Sequence, residues 1–172
     1  MNAMPSILLV TQLKYARSEL VRCLDSVTDT EARKRFEPMN SISWIIGHLA
    51  NQENYYWVRM AQGRKILPEL KDLVGYGRPP STPPLEDMWH AWRSVTSTAD
   101  TYLEPLSTDK LTTYLGIGSR QHSEDVGTML MRNIYHYWFH IGEAYAIRQM
   151  LGHRDLPDFV GSMAEANYFP EK

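Results

Sequence analysis

The sequence predicts an all-α protein, a four-helix bundle formed by one domain over residues 1–172. Three observations predict it. Four segments repeat apolar residues every three or four positions, the period of a helix that buries one face. Glycine and proline punctuate the stretches between them. No segment alternates apolar and polar residues strongly enough to read as a strand, and four amphipathic helices can close one core.

The first helix starts after Pro5, a residue suited to a first turn, and aligns Leu9, Leu13, Ala16, Leu20, Leu24 and Val27. Asp25 to Pro38 breaks that stripe, and Thr28-Asp29-Thr30-Glu31 reads as a polar turn or a short helical start. The second helix begins near Ser41 or Ser43, both suitable N-caps, and runs to about Gln62, where Gly63 ends it. Its stripe is Ile42, Ile45, Ile46, Leu49, Tyr56 and Met60, with His48 at the edge. Gly63 to Pro84 is a long connection for a bundle. Roughly twenty extended residues span about 70 Å, and a twenty-residue helix is about 30 Å long. The connection can therefore cross the molecule and let the second and third helices run parallel, or it can fold over a pocket as a lid.

The third helix runs from Leu85 to Leu103, with Leu85, Met88, Trp89, Trp92, Val95, Ala99 and Tyr102 on its stripe and Pro105 closing it. Ser107 to Ser123 is irregular, with Leu111 to Leu115 as a short extended piece. The fourth helix runs from about Glu124 to Leu151 and stops at Gly152. Val126, Met129, Leu130, Asn133, Tyr137, His140, Ala144, Ile147 and Leu151 form its stripe, with His136 and Glu143 beside it. The tail from His153 carries Pro157, Phe159, Val160, Tyr168 and Phe169, expected to pack back on the helices.

Composition narrows the function classes. The chain has 172 residues, enough for a real core. Its 18 basic and 20 acidic residues are interspersed without a basic block, so neither nucleic acid nor an anionic membrane is an expected partner. Cys23 is the only cysteine, which excludes an internal disulfide and a cysteine-based metal site. No apolar run approaches a membrane span, and Met1 to Val10 lacks a basic leader, so a soluble cytoplasmic protein is expected.

The chemistry points to histidine. His136 and His140 are one turn apart on a largely apolar, aromatic helix, where both imidazoles can reach one ion, and His48 on another helix is the candidate third ligand. Imidazole suits zinc, nickel, copper or iron, and three such ligands leave a coordination position for water or substrate. No glutamate follows His136, so the zinc-protease motif is absent. The competing reading is a set of hydrogen-bonded core histidines without metal. Asn51 and Gln52, one turn after His48, and Glu143, three residues after His140, are placed to orient an imidazole through its other nitrogen. A Glu143–Arg148 ion pair is the plainer alternative. Asn133 needs a polar partner if buried, Tyr55 and Tyr137 are candidates to line a pocket, and Arg59, Arg78, Arg120 and Arg148 are candidates for a substrate carboxylate. His90, His122 and His153 look peripheral, the last favouring the negative end of its helix.

The elements Ser41-Ile42-Ser43-Trp44-Ile45-Ile46-Gly47-His48-Leu49-Ala50 and Tyr135-His136-Tyr137-Trp138-Phe139-His140-Ile141-Gly142-Glu143 resemble the DinB-like, or YfiT-like, superfamily of metal-binding four-helix bundles. The continuation through Leu156-Pro157-Asp158 also resembles one of its branches. The resemblance implies an up-down-down-up bundle, a zinc or nickel ion on His48, His136 and His140, and a homodimer. It further implies a metal-dependent transferase that activates a small thiol cofactor (bacillithiol, mycothiol or glutathione) towards a small electrophilic substrate. A non-enzymatic, metal-binding stress-response bundle is the alternative.

Overall fold

A computed structural model describes residues 7–158 and 160–169, so the expected start at Pro5 and the side chain of Phe159 lie outside it. The protein is mostly helical, 58% helix and 6% strand, with six helices and a small two-stranded sheet. Four long helices fall where the periodicity places them: α1 (Leu8–Cys23), α3 (Ile42–Glu53), α5 (Leu85–Leu103) and α6 (Val126–Met150). Two short ones are additions, α2 (Asp29–Arg33) and α4 (Leu70–Val74). Thr28-Asp29-Thr30-Glu31 takes the helical of its two readings. The Thr28 hydroxyl accepts from the Glu31 N–H while the Glu31 carboxylate accepts from the Thr28 N–H, a capping box that starts α2.

Ser41 caps α3, its hydroxyl accepting from the Trp44 N–H. The helix then widens into a π-helical stretch, Asn54–Met60. Tyr56, Trp57 and Val58 are all buried there, a run that helical periodicity does not anticipate. Gly63, at φ +67°, ends the helix in a conformation that a side chain would strain.

Interhelical hydrogen bonds fix directions. The Ser41 hydroxyl bonds the Ser81 carbonyl at one end of α3, and Gln62 Nε2 donates to the Thr98 carbonyl at the other, so α3 and α5 run the same way. The residue 63–84 connection therefore crosses back along the molecule, but not as an unstructured strap. Leu70 and Val74 of α4 are buried, and α4 packs on α3. Along α6 the order reverses, with Asn133 beside Gln52 and His140 beside Trp44. The α1–α6 pair runs in one direction, from Tyr15 near Trp138 to the Cys23 carbonyl held by Arg148.

Two expectations are corrected. The 107–123 stretch holds a β-hairpin, β1 (Tyr114–Ile117) antiparallel to β2 (Arg120–Asp125). Both strands are largely exposed, so they lack the apolar alternation that marks a half-buried strand. The tail does return to the helices, with Pro157 and Val160 half-buried and Ala166 buried, and its backbone ties it to α1: Gln12, Tyr15 and Arg22 donate to the carbonyls of Ala166, Gly161 and Asp158. Tyr168 and Phe169, expected to pack, are exposed.

Candidate metal centre

His48, His136 and His140 come together, with one nitrogen from each lying within 4.8 Å of the others. Each is held by its Nδ1. His48 Nδ1 meets the Val74 carbonyl at 2.8 Å, and His140 Nδ1 meets the Glu143 carboxylate at 2.5 Å. Both partners are acceptors, so both Nδ1 atoms donate, and in a neutral ring the Nε2 atom then carries a lone pair.

His136 reaches the same state by a relay. The Trp57 indole N–H can only donate, and it donates to Asn133 Oδ1 at 2.7 Å. That orients the Asn133 amide so that Nδ2 donates to Gln52 Oε1 at 3.0 Å. Gln52 Oε1 therefore accepts from His136 Nδ1 at 2.7 Å, leaving the His136 Nε2 lone pair free. Asn133, fully buried, thus has the partner it requires.

With both rings neutral, two lone pairs face each other. His136 Nε2 and His140 Nε2 are 2.9 Å apart, a repulsive contact unless a proton or a metal ion is shared between them. Burial pushes the His48 imidazole down to about 4 and His136 down to about 3, with the neighbouring rings adding to the effect, so protons bind poorly here at neutral pH. A metal ion is the better match. The donor set, three imidazoles each backed by an acceptor, fits a borderline divalent metal.

The local sequence explains the placement. A Cβ on Gly47 would stand 2.4 Å from Met88 Sδ and 3.2 Å from the Val74 methyls. Its absence lets α4 approach α3 closely enough for the Val74 carbonyl to reach His48. Trp44 stacks on the His48 ring at 4.3 Å and 13°, fixing its plane. Its indole N–H is the one buried side-chain polar atom without a partner among the described residues.

A cavity of about 830 Å³ opens beside His48 and His136. Tyr55 lines it, as do Arg59 and Arg78 of the four candidate arginines, and so does His122, which the sequence left peripheral. Asn51 also lines the cavity but bonds none of the histidines; its neighbour Gln52 does. Tyr137 is fully buried and belongs to the core. Arg148 is buried against the Cys23 carbonyl and His153, so Glu143 serves His140 and not an Arg148 ion pair. His153 donates to Glu31 and ties α2 to the end of α6. Arg120 does not line the cavity, and His90 is exposed on α5. The Val74 carbonyl had no sequence signal, since any residue supplies one.

A family model for the DinB superfamily matches residues 12–144, most of the chain and all three histidines. The protein belongs to the DinB superfamily. No curated protein matches the chain. Among its described residues, this DinB member has no helix long and apolar enough to cross a membrane.

Proposed function

We propose that this DinB-superfamily protein is a divalent-metal-dependent transferase that presents a small thiol, of the bacillithiol, mycothiol or glutathione type, to an electrophilic substrate. One observation carries the reading: three imidazoles with every Nδ1 committed to an acceptor turn their Nε2 atoms together beside an open cavity. His48, His136 and His140 would hold zinc or nickel, and a bound ion supplies the Lewis acidity that keeps a thiol deprotonated at neutral pH. The chain's remaining task is positioning. The Val74 carbonyl, Gln52 and Glu143 hold the three rings, Trp44 braces His48, and Tyr55, Tyr56 and Ile66 wall the space for an electrophile. No separate base is then required of the protein.

The same proposal takes α1, α3, α5 and α6 as an up-down-down-up bundle in one domain, which the directions of the helix pairs support. It places the protein in the cytoplasm as a homodimer. The outer face of α6 suits that pairing, because Met131, Tyr135 and Phe139 stand exposed at successive turns.

The test begins with elemental analysis of untagged protein, expected to give close to one zinc or nickel per chain, lost in His140→Ala. A screen of the three thiols against electrophilic acceptors should then show turnover that disappears with the metal. Turnover unchanged in His140→Ala would sink the metal's role. Metal that raises the melting temperature of a protein without turnover would favour the stress-response reading.

A further inference from the structure

The cavity has a pronounced charge asymmetry. Arg59, Arg64, Lys65, Lys71 and Arg78 line it, and no aspartate or glutamate does, although the chain as a whole has more acidic than basic residues. Only Arg78 is paired, with Asp72 at 2.5 Å. Arg59, Arg64, Lys65 and Lys71 have no ion pair among the described residues. Like charges gathered around one concave surface repel one another, and a bound anion relieves that repulsion.

These cations sit on an anchored segment. Gly63 reverses the chain at the end of the π-helical stretch, so that the next residues turn back over α3. Asn54 Nδ2 then clamps the Ile66 carbonyl at 2.7 Å, and the buried Leu70 and Val74 hold α4 down. Arg64 and Lys65 precede that clamp, and Lys71 lies within α4. His48 and His136 line the same cavity, and Tyr55, Tyr56, Ile66 and Leu67 supply apolar wall. At about 830 Å³ the cavity is within the usual range of small-molecule sites, roughly 300–1,000 Å³.

We propose that the molecule bound in this cavity is an anion with an apolar body, carrying carboxylate or phosphate groups that Arg59, Arg64, Lys65 and Lys71 hold while its reactive part faces the histidines. The last clause rests on the proposed function. The anion site itself does not, because it is built from side chains that belong to no metal ligand.

Isothermal titration of the metal-loaded protein with benzene-1,3,5-tricarboxylate tests it, using the neutral benzene-1,3,5-tricarboxamide as the isosteric control. The tricarboxylate should bind at least tenfold more tightly than the tricarboxamide and weaken as salt rises. The double variant Arg64→Gln/Lys65→Gln should lose at least tenfold in affinity, and Lys71→Gln, as an independent variant, severalfold. These side chains are exposed, so the variants should keep the wild-type circular dichroism. Phenyl phosphate and benzoate, each compared with benzamide, tell which headgroup is preferred; tighter binding of either supports the site. Equal affinity for tricarboxylate and tricarboxamide, or unchanged affinity in both variants, overturns the proposal. His136→Ala separates the two readings. Tricarboxylate affinity within threefold of wild type supports the cationic site even if no metal is found. Loss there, with Arg64→Gln/Lys65→Gln unaffected, shows that the anion sits on the ion and overturns it.

Discussion

Gln52 and Glu53 are adjacent on α3 and serve two different polar clusters in the interior. Glu53, fully buried, is paired with Arg17 through both carboxylate oxygens and accepts from the Tyr137 hydroxyl at 2.6 Å. Tyr137 in turn accepts from the Trp92 indole at 2.7 Å, and Arg17 reaches Asp100 at 2.7 Å. Burial and the Glu53 charge push the Tyr137 hydroxyl well up, so it stays a donor. That cluster is closed: its charges and donors answer one another across α1, α3, α5 and α6. The cluster beside Gln52 is satisfied only on its outer side, at the three Nδ1 atoms. Its inner side is three acceptors turned towards each other. Both clusters cost desolvation. The closed one recovers it within the fold, whereas the open one would recover it with a bound cation. A buried polar cluster is therefore diagnostic of a site when its donors and acceptors fail to balance, and burial alone is not.

The largest effect that breaks this contrast lies in the closed cluster. Glu53→Ala leaves the Arg17 charge buried without its main partner and should cost about 3–5 kcal/mol in urea unfolding. Replacing both members, Arg17→Met with Glu53→Leu, should cost less than Glu53→Ala, since no buried charge is left unpaired and the remaining loss is the acceptor of the Tyr137 hydroxyl. If the double replacement is as damaging as Glu53→Ala, the ion pair holds the helices in register in a way that apolar packing cannot replace.

The next effect follows pH and sharpens the open side. In an unfolded chain a histidine titrates near 6.5, while the fold holds His48 at about 4 and His136 at about 3. Above pH 6.5 neither state carries the proton, and this contribution to stability is fully present. Below it the unfolded chain takes up protons that the native cluster refuses, so stability falls progressively towards pH 4 and 3. Metal-free protein should therefore have a lower urea midpoint at pH 5 than at pH 7, with a smaller drop in His136→Gln. Glu31, held down at about 2 by its bonds to Thr28 and His153, loses its contribution as pH falls from 4.5 towards 2, so it is intact at pH 5 and does not produce the drop between pH 7 and 5. A midpoint that is flat from pH 7 to 5 would mean that the imidazoles are not desolvated as described.

What could be read from the sequence, and what could not, follows the same division. Helical spacing located α1, α3, α5 and α6, because each buries a continuous apolar stripe. It also put His136, His140 and Glu143 on neighbouring turns, where local geometry decides contact. Arg17 and Glu53 escaped notice although Glu53 continues the α3 stripe, one turn after Leu49. A charged residue at a core position reads as a surface group until its partner on another helix is known. The hairpin escaped because its exposure hides the strand period, and the π-helical stretch because it departs from the period itself. The cationic wall was legible only in part: Arg59 and Arg78 were candidates for a substrate carboxylate, but Arg64, Lys65 and Lys71 escaped. Those three are dispersed along an aperiodic connection, and only the anchoring of α4 gathers them.

The smallest predicted effect separates two neighbours that helix geometry could not. Asn51 and Gln52 are both about one turn from His48, and both touch the cavity. Only Gln52 closes the relay from Trp57 through Asn133 to His136. Gln52→Leu keeps the bulk but strips the acceptor, leaving the His136 and Asn133 donors unanswered and the imidazole free to turn. Competition with a chromophoric chelator should show metal affinity falling by about 10–100-fold, the usual range for losing a group that orients a ligand. Asn51→Ala should stay within threefold of wild type, because no imidazole depends on it. Equal losses in the two variants would mean that cavity polarity, and not the tautomer set by the relay, governs how tightly the histidines hold their ion.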